Sequence, residues 1–416
     1  MAINQESEPD SPGSRNRTLF VITGSLSSLA NRFANPQLIL PWVYSLIGGP
    51  LFLIGFFAPS LRMGALAAQL TVVPSLLARP IKKWIYVIAA LVSAAVMLLI
   101  AAAILSGDIV LVSVVFFAGT LLLGAASGIS GLSSQVVVAK SLLRVQIGRV
   151  LSIQASIAGA LTLLVMSVLI PLFPDSDAGS QRTILIVMSA VCWLGAALCF
   201  ALVRESPSEI KTGTSVWSQT LAGWQLLKTN LWFRRFFFTR AMFLSVGLAM
   251  PFYAILASSQ FPKSADTLSL IVLATGVTSA LSAPVWSRLL ARRPDHVMIW
   301  AGVIAALAGV VALFHPAVVG APHPIAYMLV FALLELAVQG VTQSSRTYLA
   351  VMTPEADRPT YLAICNALLG VIAVIAGGLT GLLAHSSHIS AALSFIIVMS
   401  LLASLSVLRL IPPKMD

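Results

Sequence analysis

Charge is what this sequence has least of. Asp, Glu, Lys and Arg make up 9% of its 416 residues, against roughly 25% in a soluble domain, which excludes an ordinary cytosolic enzyme, a nucleic-acid binder and a disordered chain. Cysteine is scarce too. Cys192, Cys199 and Cys365 all lie in apolar runs, where a thiol behaves as a small hydrophobe, so no disulfide is expected. The histidines, His296, His315, His323, His385 and His388, fall at loop or helix-end positions and form no cluster with metal-ligand spacing, so neither a metal nor a cofactor is expected. No P-loop couples the chain to ATP, and no Ser/His pair or paired Asp in the spans marks an enzyme. The first 17 residues carry Glu6, Glu8, Asp10, Arg15 and Arg17. They are too polar for a signal peptide, so the first apolar segment is expected to stay in the mature protein.

Apolar residues are abundant instead, at 58% of the chain. A bilayer core about 30 Å thick needs about 20 of them in helix, and lipid leaves no backbone group unpaired, so each long apolar run reads as a spanning helix. About twelve such runs occur, over 18–45, 50–76, 84–106, 109–138, 149–172, 183–203, 233–259, 265–290, 297–315, 325–349, 359–384 and 389–410. The expected fold is an all-α membrane protein of twelve transmembrane helices, with 18–203 and 233–410 as two pseudo-symmetric six-helix bundles. Residues 1–17 and 411–416 are tails, and 204–232 is a polar linker. Within the linker, Trp217, Leu221, Trp224 and Leu227 recur at helical spacing, which predicts a short helix lying on the membrane surface.

The net charge of +11 follows the loops rather than one face, which points to membrane orientation and away from nucleic acid. Placing both termini in the cytoplasm leaves Arg182 and Lys263 outside and Arg32, Arg62 and Arg240 within spans, with every other basic residue inside. The expected location is therefore the cell's inner membrane, crossed many times. The halves also repeat. Pro41-Trp42-Val43-Tyr44 closes the first span and Pro251-Phe252-Tyr253 the seventh, 210 residues later. Leu76-Leu77-Ala78-Arg79-Pro80 returns as Leu289-Leu290-Ala291-Arg292-Arg293-Pro294, and Gly131 and Arg149 return as Gly340 and Arg358, each 209 residues on. A six-plus-six repeat suits a transporter rocking about a central site.

Twelve spans, a long middle loop, and basic loops at 79–83 and 288–293 make the chain resemble the major facilitator superfamily over essentially its full length. The family's loop motif departs from its pattern, with Ser75 and Arg79 near where a glycine and an aspartate stand. Leu121 to Gln135 holds no basic residue, and the fifth span lacks the glycine–proline signature of drug–proton antiporters. The stretch from Arg346-Thr347-Tyr348-Leu349 to Arg358-Pro359-Thr360-Tyr361 looks like one found in bacterial members and carries no substrate information. The resemblance implies secondary transport by alternating access, with the first, fourth, seventh and tenth helices lining a central cavity.

A charge inside a span costs about 2.5–3.5 kcal/mol or more, so those that persist usually face protein or water. Four stand out: Arg32, Arg62, Arg240 and Glu335. A guanidinium offers bidentate donors for carboxylate or phosphate, so the arginines point to a small anionic organic solute, unless they hydrogen-bond helix ends, pair with Glu335 or, for Arg240, snorkel to the surface. Glu335 is the one acid deep in a span and the candidate for carrying a proton, unless it is a static ion pair. Gln339 lies one turn from it on the same face. Asn35 and Tyr253 join Gln339 as candidate substrate contacts. Asn31, Gln69, Ser130, Ser134, Gln135 and Gln343 are secondary candidates, more often interhelical hydrogen bonds. Arg79, Lys82, Lys83, Arg288, Arg292 and Arg293 are expected to form gating loops. The expected partners are a small solute, protons and the lipid bilayer. An exporter of amphipathic drugs is the alternative within transport, and a polytopic enzyme or a scaffold a distant one.

Overall fold

Glycine sets two of the turns. Gly107 takes φ 70° and Gly320 φ 82°, a left-handed backbone that a Cβ disfavours, and each ends a helix. Just beyond them Asp108 Oδ1 accepts from Val110 N at 2.9 Å, and His323 Nδ1 accepts from Ile325 N at 3.3 Å, so side chains satisfy the first free N–H groups of the next helix. The two turns lie 213 residues apart, close to the spacing of the sequence repeat.

The structure, a computed structural model, describes residues 12–77, 79–142, 144–165, 178–207, 227–261, 265–353, 358–387 and 389–410. Its named elements are all helices: α1 Pro12–Phe33, α2 Ile39–Leu46, α3 Leu51–Leu77, α4 Lys83–Ser106, α5 Ile109–Ser141, α6 Arg144–Leu164, α7 Ala178–Ala201, α8 Leu231–Met242, α9 Leu244–Gln260, α10 Ala265–Arg292, α11 Pro294–Val319, α12 Pro324–Met352, α13 Arg358–Ser387 and α14 Ile389–Val407. Ten spans among the described residues are long and apolar enough to cross a membrane, α8 and α9 counting as one. The expected spans 18–45 and 149–172 fall on α1–α2 and on α6, which are not among the ten. Residues 166–172 lie outside the described residues, as do Trp217, Leu221 and Trp224 of the expected surface helix.

The first expected span breaks for a readable reason. Pro36 has no N–H to give a helix, and Asn35 caps the gap by accepting from Gln37 N at 2.8 Å. Pro41 then falls in the first turn of α2, where a missing N–H does no harm. In the seventh expected span the chain breaks again at Phe243, between α8 and α9. Arg32 and Arg240 occupy the last turn before each break.

Helices preceding residue 204 pack largely on one another, as do those following residue 227, and the two groups meet along α3–α13, α2–α9, α3–α9 and α6–α10. At α3–α13 the backbones nearly touch: a Cβ on Gly55 would stand 2.2 Å from Gly377 O. Small residues allow such contacts where lipid supplies no hydrophobic drive between helices. Leu99, Val114, Val191, Leu198, Phe314 and Ile375 point outward and stay exposed, an apolar belt that water would penalise and acyl chains satisfy. From the ends of α2 and α9, α3 and α10 each run about 40 Å to the loops 79–83 and 288–293, and that end of the helices is termed the basic face. Far from it, Ser45 and Ser258 join α2 to α9 at 2.7 Å between their Oγ atoms.

Candidate functional site

α3, the α8–α9 pair, α12 and α13 enclose a cavity of about 350 Å³. Arg62 enters it from α3, Arg240 from α8 and Arg346 from α12, while Phe243, Val338, Val341 and Leu369 give it apolar walls. Thr342 and Asn366 add neutral polar groups, and among the described residues no Asp or Glu lines it. Gly247 on α9 makes the space for Arg62, since a Cβ there would stand 2.3 Å from Nη2. Arg240 Nη1 donates to Ser345 Oγ at 3.0 Å, a neutral acceptor. Arg62 and Arg240 repel each other, as do Arg240 and Arg346. Among the described residues none of the three forms an ion pair.

Arg32 stands elsewhere. It lines a second cavity of about 340 Å³ between α6 and α10, with Ser156, Gly159, Thr162 and Leu273, and its Nη1 lies 2.7 Å from where a Gly276 Cβ would be. Its charge reaches Glu335, yet the two form no ion pair among those present. Glu335 Oε1 instead accepts from Gln339 Nε2 at 2.9 Å, and Ser279 of α10 faces the same carboxylate. The sequence candidates thus divide into two clusters. One holds Arg62 and Arg240; the other holds Arg32, Glu335 and Gln339.

Two candidates fall outside both. Tyr253 is fully buried, its OH against Gly309 of α11 and, among the described residues, without a hydrogen-bond partner, so its place is the core and not the wall of either cavity. Asn35 spends its side chain on the turn between α1 and α2. Ser130 and Ser134 bond carbonyls of their own helix, and the Gln69 side chain lies outside the described residues.

The basic loops are tied down unequally. Arg79, Arg288 and Arg292 are exposed. Glu205, which the sequence reading passed over, accepts from Lys82 N at 2.8 Å and Lys83 N at 2.7 Å through one oxygen and pairs with Lys140 at 3.4 Å through the other. It caps α4, whose own N-cap residue makes no side-chain capping bond. Lys83 Nζ donates to Ala201 O and Val203 O at 2.8 Å each, capping α7. Arg293 holds Asp295 through bonds of 3.1 and 2.8 Å, and that carboxylate pushes the guanidinium above its ordinary pKa.

Arg346 is the cavity residue that sequence reasoning missed. It lies within three turns of Glu335 on an apolar helix, and Glu335, Gln339, Thr342 and Arg346 recur at spacings of 4, 3 and 4. That polar stripe is the signal that could have found it.

Residues 236–416 match the family model described as Major Facilitator Superfamily. Curated relatives include uncharacterized proteins of Mycobacterium tuberculosis (strain ATCC 25618 / H37Rv) and Mycobacterium bovis, each 22% identical over 304 residues. Those alignments take in 72% of this chain but only 58% of each relative's length. Among solved structures, a point mutant of the nucleoside transporter NupG superposes with a TM-score of 0.73 at 13% identity, over 95% of this chain and 99% of that one. A D-xylose–proton symporter gives 0.71 at 16%, over 95% and 98%, and the POT family transporter PepTSo gives 0.68 at 11%, over 96% and 98%. The chain thus matches the Major Facilitator Superfamily model in sequence over its C-terminal part and shares the fold of these transporters along nearly its whole length.

Proposed function

We propose that the protein is a secondary transporter moving a small organic anion across the inner membrane by alternating access, driven by protons. In this reading α1–α2, α8–α9 and the remaining long helices make twelve spans in two six-helix halves, with both termini cytoplasmic. The observation that carries it is the set of three guanidinium groups around one cavity with no carboxylate among the described residues that wall it. Arg62 comes from the first half and Arg240 and Arg346 from the second, so an anion held between them joins elements that alternating access must move apart. A solute without negative charge would leave three cations facing one another, which argues against export of a neutral or cationic drug.

In this reading the cavity opens toward the basic face, where Arg346 and Asn366 are exposed, while Ser45 and Ser258 bridge the halves at the opposite face. With the basic loops in the cytoplasm, this corresponds to an inward-facing state. Glu335 lies 11 residues from Arg346, about 16 Å along α12. A proton taken up there and an anion bound at the arginines would both act on α12, which supports coupling through that helix.

The test is flux in liposomes. Labelled organic anions should accumulate under an imposed pH gradient, and Arg240→Gln should reduce that accumulation by tenfold or more. Flux of neutral or cationic solutes with none of any anion would overturn the proposal.

A further inference from the structure

Resting on the anion reading, the geometry points to a more specific solute: a small organic dianion, a phosphate monoester or a dicarboxylate, carried with its charges at Arg62 and Arg240. The argument is a charge count made by position. Arg346 sits at the exposed mouth, where water screens it. Arg62 and Arg240 lie deeper and half-buried, Arg62 against Gly247 and Arg240 on the Ser345 hydroxyl. Among the described residues neither has a carboxylate within ion-pair distance. A monoanion between them leaves one positive charge uncompensated in a space walled by Phe243, Val338 and Leu369. Two negative charges compensate both. The same apolar walls argue that the occupant has a carbon body, because a bare inorganic ion would leave about 350 Å³ of cavity lined by unfilled hydrocarbon.

The experiment compares matched pairs by binding calorimetry on the purified full chain at pH 7.5 and constant ionic strength. Glycerol 3-phosphate is set against its methyl phosphodiester, and succinate against its monomethyl ester. The expected result is binding at least tenfold tighter for the dianion in one pair or both. A preference in one pair tells which source of the charge the site takes. Arg62→Gln, first shown to melt cooperatively, should shrink that preference to about threefold or less. Should the variant fail to fold, pH supplies the second measurement. The second ionisation of a phosphate monoester falls near about pH 6, so its affinity should rise about tenfold between pH 5 and pH 7.5 while that of the phosphodiester stays flat. With succinate and its monoester the same rise should follow the second carboxyl. Equal affinity within both pairs overturns the dianion assignment and leaves the anion reading standing. Binding of none of the four overturns both.

Discussion

A lone carboxyl in a half-buried, mostly apolar setting can exist protonated or ionised, and the surroundings of Glu335 leave that choice open. Gln339 donates to it and Arg32 acts at longer range without pairing. A static ion pair would fix the carboxylate; among the described residues Glu335 forms none, in keeping with the proposed proton carrier. Glu335→Gln keeps size and hydrogen bonding while removing the titratable proton. Proton-driven accumulation should vanish, while exchange of solute down its own gradient should continue at a comparable rate, both measured on the same liposomes. Loss of both modes together with a lower melting temperature would make the residue structural. The four intramembrane charges were legible in the sequence because a charge in an apolar run is conspicuous. Which of them share a cavity was not, since Arg32 and Arg240 hold matching places before the two helix breaks yet face different spaces. Arg346 escaped notice for another reason: a basic residue near the end of a span reads as a loop charge.

Among the elements, the expected boundaries were good wherever an apolar run ended in turn chemistry. The spans 50–76 and 84–106 became Leu51–Leu77 and Lys83–Ser106, because their length is set by the bilayer and their ends by Pro50, Pro80 and Gly107. The first span was expected unbroken and is not, although Asn35-Pro36 stood in the sequence as its breaking signal. Long-range caps were beyond reach. Glu205 bonds the start of α4 from 122 residues away, and no local pattern announces such a pairing. Its side chain is fully shielded, serving two backbone N–H groups and Lys140. Glu205→Ala strips both N–H groups of their acceptor and should cost about 2–4 kcal/mol, seen as a clear fall in melting temperature. Glu205→Gln keeps an acceptor and should lose about half as much. Equal melting of Ala variant and parent would show that water replaces the cap.

For the whole molecule the question is whether the halves rock about the arginine cavity. The contact that must break is on the face opposite the basic loops, where Ser45 at the end of α2 and Ser258 near the end of α9 meet with their Oγ atoms 2.7 Å apart. Hydroxyls that close leave the two Cβ atoms about 4–5 Å apart, near the range a disulfide spans. A Ser45→Cys, Ser258→Cys pair in a chain lacking Cys192, Cys199 and Cys365 should therefore crosslink on mild oxidation. If this face has to open for solute to pass, the oxidised protein should lose transport by tenfold or more and recover it with a reductant. Binding in the cavity should survive, since in the proposed inward-facing state Arg62, Arg240 and Arg346, which line it, are reached from the other side. That separation distinguishes a locked transporter from a damaged one. Full transport by a protein shown by mass spectrometry to be crosslinked would mean that this face stays closed throughout, and rocking about the cavity would have to be abandoned.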